Sequence, residues 1–541
     1  MIRAAERVGG WVWRLARRIA AWFGGRRYDT GPSAAHAVTS RPGAGFTSRA
    51  AIRYTFTGGR VAVTPDLGAE LRERRIVPGD ELRYAVLPEW SATGDVRDGF
   101  AADAVALDLV LDDGSLLSAY GVRDQYGVAL DPRAQHEGAA LHPDQWNLVR
   151  VALDAVAGRV VAGVRLRVVE TRAPGAGRRT LVGWLDTISI GPVAPEPERP
   201  ADRARTRQGT MSTPALSRGN TAPTVAVPGG FVGGIPVTRA DSARWPYTWH
   251  ADNTSDNRSA LQAFATSHLP SPWMGERGAF QVMPVLPPPP GEPVPTSPGA
   301  RALGFSHDDE IARPHDYRVT LDGGIHVEMT ATDHTVLVRV GFPPGTAEGV
   351  LVFDQIDGHG AVSLPGETGV PGDALRAYTD DGTEAQRDRA ASPRAYLHAQ
   401  LDRPIVAADR VRAGLRTPGE SPRAWVRVAL DASATVTVRL ATSFIGTAQA
   451  ERNLALDGAD APFDEVRERS GHAWDAWIGR IGLPSGDGET AGDGASAAAV
   501  EQRAMMATAL YRVGLFPARA HENLGTAEDP DPRYASPFHP R

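Results

Sequence analysis

Apolar and polar residues alternate with period two most cleanly through residues 304–343. Tyr317, Val319 and Leu321 share one side, and Ile325, Val327 and Met329 resume the pattern after Asp322-Gly323-Gly324. Those glycines supply the positive φ that a tight hairpin needs, so the two runs predict an antiparallel hairpin. A third run, Val336, Val338 and Val340, stops at Phe342-Pro343-Pro344, because proline cannot donate to a ladder. Three strands with one apolar stripe must cover that stripe with a second layer, which predicts a sandwich. Residues 349–353, 395–399, 425–430 and 435–443 read as further strands of the same module.

A separate set of strand-sized segments lies upstream, at residues 51–56, 81–87, 105–111, 147–153, 160–169 and 183–190. Turns such as Asp112-Asp113-Gly114, and the lack of any long helical period, favour an antiparallel sandwich or jelly roll. After residue 446 the period changes. Segments 448–456 and 463–481 space Val466, Trp474, Trp477, Ile478 and Ile481 helically, with Asp460 and Asp464 as candidate N-caps, and 497–516 is a further helix. At the other end Trp11, Val12, Leu15, Ile19 and Trp22 alternate helically with arginines. This basic amphipathic segment is either a membrane-surface helix or an ordinary one; its arginines interrupt any secretory or membrane-spanning apolar run.

Length and composition change this picture little. The 541 residues are enough for several domains, and a net charge of −6 gives no footprint for nucleic acid. All 58 basic residues are arginine, which with the abundant Ala, Gly and Pro reflects GC-rich coding. The absence of cysteine excludes disulfides, thiolate metal sites and cysteine nucleophiles, and leaves the compartment undecided. Residues 192–208 are proline-rich and charged and cannot fold alone, so they predict a linker. The prolines of 286–299 predict a surface loop inside the second module. Expected divisions are a basic segment 1–36, a sandwich 37–192, a linker 193–216, a second sandwich 217–445 and helices 446–541.

The order of FSH, DE, YRVTLD, GI, TATDH and VRVGFP in the central stretch resembles the N-terminal module of glycoside hydrolase family 92, the calcium-dependent exo-α-mannosidases. Upstream, Arg218-Gly219-Asn220-Thr221, Pro236-Val237-Thr238 and the run SHLPSPWMG fit the same pattern. The resemblance implies a mainly β fold of two antiparallel sandwiches followed by the first helices of an incomplete (α/α)6 barrel. It also implies an inverting hydrolase that releases terminal mannose from α-mannosides, including α-1,2-linked ones, with Ca2+ as cofactor and an extracellular or cell-surface location. By the resemblance, the general acid, the base and the calcium ligands belong to barrel positions beyond residue 541, so none is assigned and the chain is expected to be inactive alone.

Two positions carry over residue by residue. Trp273 stands where the family places a tryptophan reaching into the pocket, or it is a domain contact. Glu522 stands near the position where members of the resembled family have an acidic residue that binds hydroxyls of the terminal mannose, or it is a solvated loop carboxylate. The acidic run Asp308-Asp309-Glu310 reads as a solvated turn, and Trp146 and Trp184 as sugar platforms or core filling. No His-Glu-x-x-His, phosphate loop or Gly-x-Ser-x-Gly elbow is present. The alternative to the hydrolase is a non-catalytic carbohydrate-binding or structural protein of two sandwiches.

Overall fold

The computed structural model describes residues 45–57, 60–63, 69–90, 96–171, 180–211, 221–242, 245–249, 253, 256–268, 279–355, 360–380, 394–411, 423–482 and 497–535. They fall into two compact units, Met1–Ala194 and Pro195–Arg541. The basic amphipathic segment 1–36 and Trp273 lie outside the described residues. Among the described residues, no helix is long and apolar enough to cross a membrane.

The first unit holds β1 (Ile52–Thr57), β2 (Arg60–Val63), β3 (Asp80–Pro88), β4 (Val105–Leu111), helix α1 (Pro132–Glu137), β5 (Asn147–Ala152), β6 (Val161–Val168) and β7 (Leu181–Pro192). Five strands form one antiparallel sheet in the order β2-β1-β7-β3-β5, and β4 pairs with β6 as a second layer. Alternate residues of both layers, among them Tyr54, Leu82, Tyr84, Leu107, Leu109 and Val151, form one core. The short β2 had no sequence signature of its own. Trp146 and Trp184 are 8% and 4% exposed and pack with Ala51, Ala85 and Leu87. The Trp184 indole donates to Glu89 at 2.8 Å. Both tryptophans therefore fill core, and neither presents a face to a sugar.

The second unit contains β8 (Gly233–Val237), β9 (Ser259–Leu261), β10 (Ala263–Ser267), β11 (Phe280–Val285), helix α2 (Pro298–Arg301), β12 (Leu303–Phe305), β13 (Ile311–Arg313), β14 (Asp316–Leu321), β15 (Ile325–Ala331), β16 (Thr335–Gly341), β17 (Glu348–Gln355), β18 (Ala361–Ser363), β19 (Ala374–Asp380), β20 (Arg394–Leu401), β21 (Ile405–Arg410), β22 (Ala424–Ala429) and β23 (Thr435–Ser443). An eight-stranded sheet, β13-β14-β15-β16-β23-β20-β19-β18, faces a six-stranded one, β21-β22-β17-β11-β10-β8. The expected meander β14-β15-β16 is the first half of the larger sheet, with Gly323 and Gly324 at φ 85° and 79° closing the hairpin. Its apolar stripe, Tyr317 through Val340, meets Phe264, Val282, Met283 and Val352 of the other sheet. The sheets approach so closely at β8 that a Cβ on Gly234 would lie 2.5 Å from the Met329 sulfur.

Among the described residues three helices follow, α3 (Thr447–Leu456), α4 (Phe463–Ile478) and α5 (Ala497–Leu515). Leu454, Phe463 and Val466 cover Leu337 and Ala441 on the outer face of the eight-stranded sheet. The fold is thus mainly β with a short helical end. Neither Asp460 nor Asp464 caps a helix: Pro462 stands at the N-cap of α4, and Asp464 in the first turn instead pairs with Arg339 at 2.9 Å.

The stretch read as a linker behaves differently over residues 195–211. Ala201 and Ala204 are buried under Trp474 and Tyr511, and Arg199 reaches Asp475 of α4 at 2.9 Å. Arg205 binds Glu501 of α5, and Arg207 binds Glu310 at 2.9 Å. A segment too poor in apolar side chains to fold alone can still be held by another surface, here through small residues and guanidinium forks.

Candidate functional site

Glu310 corrects the expectation of a solvated acidic turn. Asp308 and Asp309 are exposed, but Glu310 is buried and receives the hydroxyls of Tyr247 (2.9 Å) and Tyr317 (2.8 Å) and the ring of His307 (2.8 Å). Burial works to raise its pKa, yet the hydrogen bond and charge of His307, with Arg207, outweigh that and hold it below the usual carboxylate range. Burial, and then the neighbouring Glu310 charge, push both tyrosines well above theirs. Every acceptor faces a protein donor, so this network is scaffold that ties residues 207, 247, 307 and 317 together.

A second cluster stands where strand ends converge. β15 and β16 are joined by the turn Thr332-Asp333-His334, closed by the Thr332 N–H on the Thr335 carbonyl at 2.8 Å. β23 ends beside it, and the Thr442 N–H donates to the His334 carbonyl at 3.0 Å. β10 runs into His268, whose Nε2 lies 3.3 Å from the Thr442 hydroxyl. His268 is also the last described residue before the stretch that carries Trp273. Phe231 sits among these groups, its ring centroid 4.8 Å from His334, 5.5 Å from His268 and 5.0 Å from Phe444.

Two carboxylates organise the cluster. Asp457, just past α3, accepts from the His334 N–H (2.6 Å) and the Thr332 hydroxyl (2.9 Å), and its other oxygen is 3.1 Å from His334 Nδ1. His334 Nε2 faces the His521 carbonyl at 3.4 Å, so both ring nitrogens have acceptors. Burial pulls the His334 pKa down, but the bond and charge of Asp457, with the His521 carbonyl and Glu522, outweigh it and raise the imidazole above its ordinary value.

Glu522 is the other carboxylate, and it is not a solvated loop residue. It is 1% exposed, accepting from the Phe444 N–H and from the Asn453 amide, each at 2.9 Å. That amide also donates to the Thr442 carbonyl at 3.0 Å, and its oxygen accepts from Gln449 at 2.8 Å. Gln449 further binds the Asn523 carbonyl at 2.8 Å. Helix α3 therefore clamps the short strand β24 (Glu522–Asn523) against the end of β23.

Sequence reading singled out Glu522 and met the Thr-Asp-His run only as part of the family-like pattern, and it gave no role to Asn453, Gln449 or Asp457, which lie on or just past a helix whose polar residues look like any solvated face. One group among the described residues has three possible metal ligands within reach, Asp333, His334 and Asp457. It does not fit calcium, which takes six to eight oxygens. The Arg519 guanidinium already pairs with Asp333, whose other oxygen accepts the Phe231 N–H at 2.9 Å, and His334 occupies Asp457.

Comparison with known proteins bears on this site. Residues 206–443 match the family model described as the glycosyl hydrolase family 92 N-terminal domain. Among solved structures, the chain is similar to the family GH92 inverting mannosidase BT2199 from Bacteroides thetaiotaomicron VPI-5482, with 26% identity over 64% of this chain and 43% of that one, at a TM-score of 0.53. The α-mannosidase BT3965 of Bacteroides thetaiotaomicron matches at 19% identity over 60% of this chain and 42% of that one, TM-score 0.45. The GH92 family glycosyl hydrolase ccman5 matches at 20%, over 60% and 42%, TM-score 0.45. The chain spans less than half the length of each of these structures. No curated protein matches it. Residues 206–443 are thus similar to the N-terminal domain of glycoside hydrolase family 92.

Proposed function

We propose that this protein serves the hydrolysis of terminal α-mannosides, α-1,2-linked mannose among them, and that the cluster around Glu522 forms one wall of the mannose pocket. The observation that carries the reading is a buried carboxylate clamped between the end of sandwich strand β23 and helix α3. A carboxylate offers about four lone-pair positions, and the Phe444 and Asn453 donors take one on each oxygen. The remaining two suit a pair of neighbouring sugar hydroxyls. Because Glu522 is already pinned, it would bind without paying to order a long side chain.

The role assigned to this wall is positioning, not proton transfer. Inversion needs two carboxyl groups roughly 6.5–9.5 Å apart around a water, each free to exchange a proton. Asp333, Asp457 and Glu522 are all saturated or half-saturated by fixed protein donors, so neither acid nor base is assigned to them. Calcium remains part of the proposal only as a cofactor held by residues other than these. Trp273, which follows Pro270 and Pro272 in the sequence, would supply an aromatic face to the sugar.

Calorimetric titration of the protein with α-1,2-mannobiose, wild type against Trp273→Ala, tests the reading. The expected outcome is measurable binding that weakens roughly five- to thirtyfold in the variant, the worth of one stacking contact. Absence of binding to wild type would instead favour a structural role for the two sandwiches.

A further inference from the structure

A cavity of about 530 Å³ opens on the second unit, away from the cluster just described, with Asp373, Gln400, Arg439 and Asp460 among its lining residues. Gln400 and Arg439 are register partners on β20 and β23. Their neighbours Ala399, Leu401, Val438 and Leu440 face the core, so these two side chains leave the outer face of the sheet side by side, about 5 Å apart at Cβ. Arg439 is fixed at Nε by the Ala459 carbonyl at 2.8 Å, and among the described residues its terminal nitrogens make no further bond. The side chains of Asp373, Gln400 and Asp460 also make no hydrogen bond among the described residues. Pro404 and Ile405 give the cavity an apolar edge.

Charge narrows the ligand. Arg403 is neutralised by Asp431 at 2.7 Å, which leaves Arg439 facing the carboxylates of Asp373, Asp402 and Asp460. The excess of negative charge rejects anions such as phosphate or a uronic acid. A chelated metal is not favoured either, since the one three-ligand group among the described residues is elsewhere. What remains are free donors and acceptors side by side next to an apolar edge, in a volume within the range of small-molecule sites. Vicinal hydroxyls, which both donate and accept, match that arrangement.

We propose that this cavity is a saccharide subsite for a neutral pyranose, distinct from the wall built around Glu522. Arg439 is four residues before Ser443, which places the two sites about 13 Å apart along β23. A glycan chain could then be held at a second point while its end occupies the first.

The test is titration of the full 541-residue protein with methyl α-D-mannoside and with D-glucuronate, followed by calorimetry and ligand-observed NMR. Wild type, Glu522→Gln, the pair Asp373→Ala with Asp460→Ala, and Arg439→Gln are compared, with a melting curve for each. A mannoside-binding component should survive Glu522→Gln and weaken about fivefold or more in the Asp373/Asp460 pair, whose side chains support no other part of the fold. Arg439→Gln should weaken it too, and glucuronate should not bind. The inference is overturned if no mannoside binds the Glu522→Gln protein, if the component ignores the cavity variants, or if glucuronate binds as well as mannoside. Failure of the Glu522 reading would show separately, as a binding component that Glu522→Gln leaves intact together with cavity variants that abolish all binding.

Discussion

His334 joins three segments that the sequence keeps far apart: its own turn, Asp457 at 123 residues' distance, and the strand that carries Glu522. Its imidazole is held above the ordinary histidine value of 6.5, against burial, mainly by Asp457. A raised folded pKa means that the stabilisation is fully present below the unfolded value and is lost as pH rises through the folded one. His334→Asn should therefore lower stability by about 1–3 kcal/mol at about pH 5.5, and by clearly less at about pH 8.5. Denaturant midpoints at the two pH values check this; an equal gap at both would remove the charged imidazole from the account. The Thr-Asp-His run was legible as a motif, but its partner was not, because an aspartate after a helix gives no sign of what it faces. Trp146 and Trp184 show the same limit, since a tryptophan beside a strand has one spelling whether it fills a core or meets a sugar.

Periodicity located most of the elements. The meander came through intact because an alternating stripe with a Gly-Gly hairpin admits one register. β2, at four residues, is too short for any pattern to show. Residues 195–211 were read as a linker because their buried residues are mostly small, Ala201, Ala204, Thr206 and Thr210, and their burial leaves little trace in hydropathy. Their anchor is Trp474 of α4, fully buried against Ala201, Ala204 and Tyr511, with its indole donating to the Ala226 carbonyl. Trp474→Ala should cost about 3–5 kcal/mol, by lost burial and the cavity left behind. It should also expose the 195–211 segment to protease before the sandwich is cut. A loss below about 1 kcal/mol, with no change in the cleavage order, would mean that α4 does not hold that segment.

At the scale of the whole chain, a sandwich similar to the family 92 N-terminal domain supplies strand ends, and the residues after it supply the groups that fix a carboxylate there. Asn453 comes from α3 and Glu522 from β24, while Phe444 follows β23, so the clamp on Glu522 cannot be assembled from the sandwich strands alone. The fold class was readable in the sequence because burial patterning is local; the clamp was not, because it depends on which polar residue meets which across the fold. The most direct test of the account replaces Glu522 with glutamine and measures methyl α-D-mannoside affinity by calorimetry beside a melting curve. The Phe444 N–H keeps its acceptor in this variant, while the charge that would receive sugar hydroxyls is removed. The account predicts a roughly ten- to hundredfold weakening of the component at this site, with a smaller change in stability. An affinity equal to wild type for every binding component in a folded Glu522→Gln protein would contradict it.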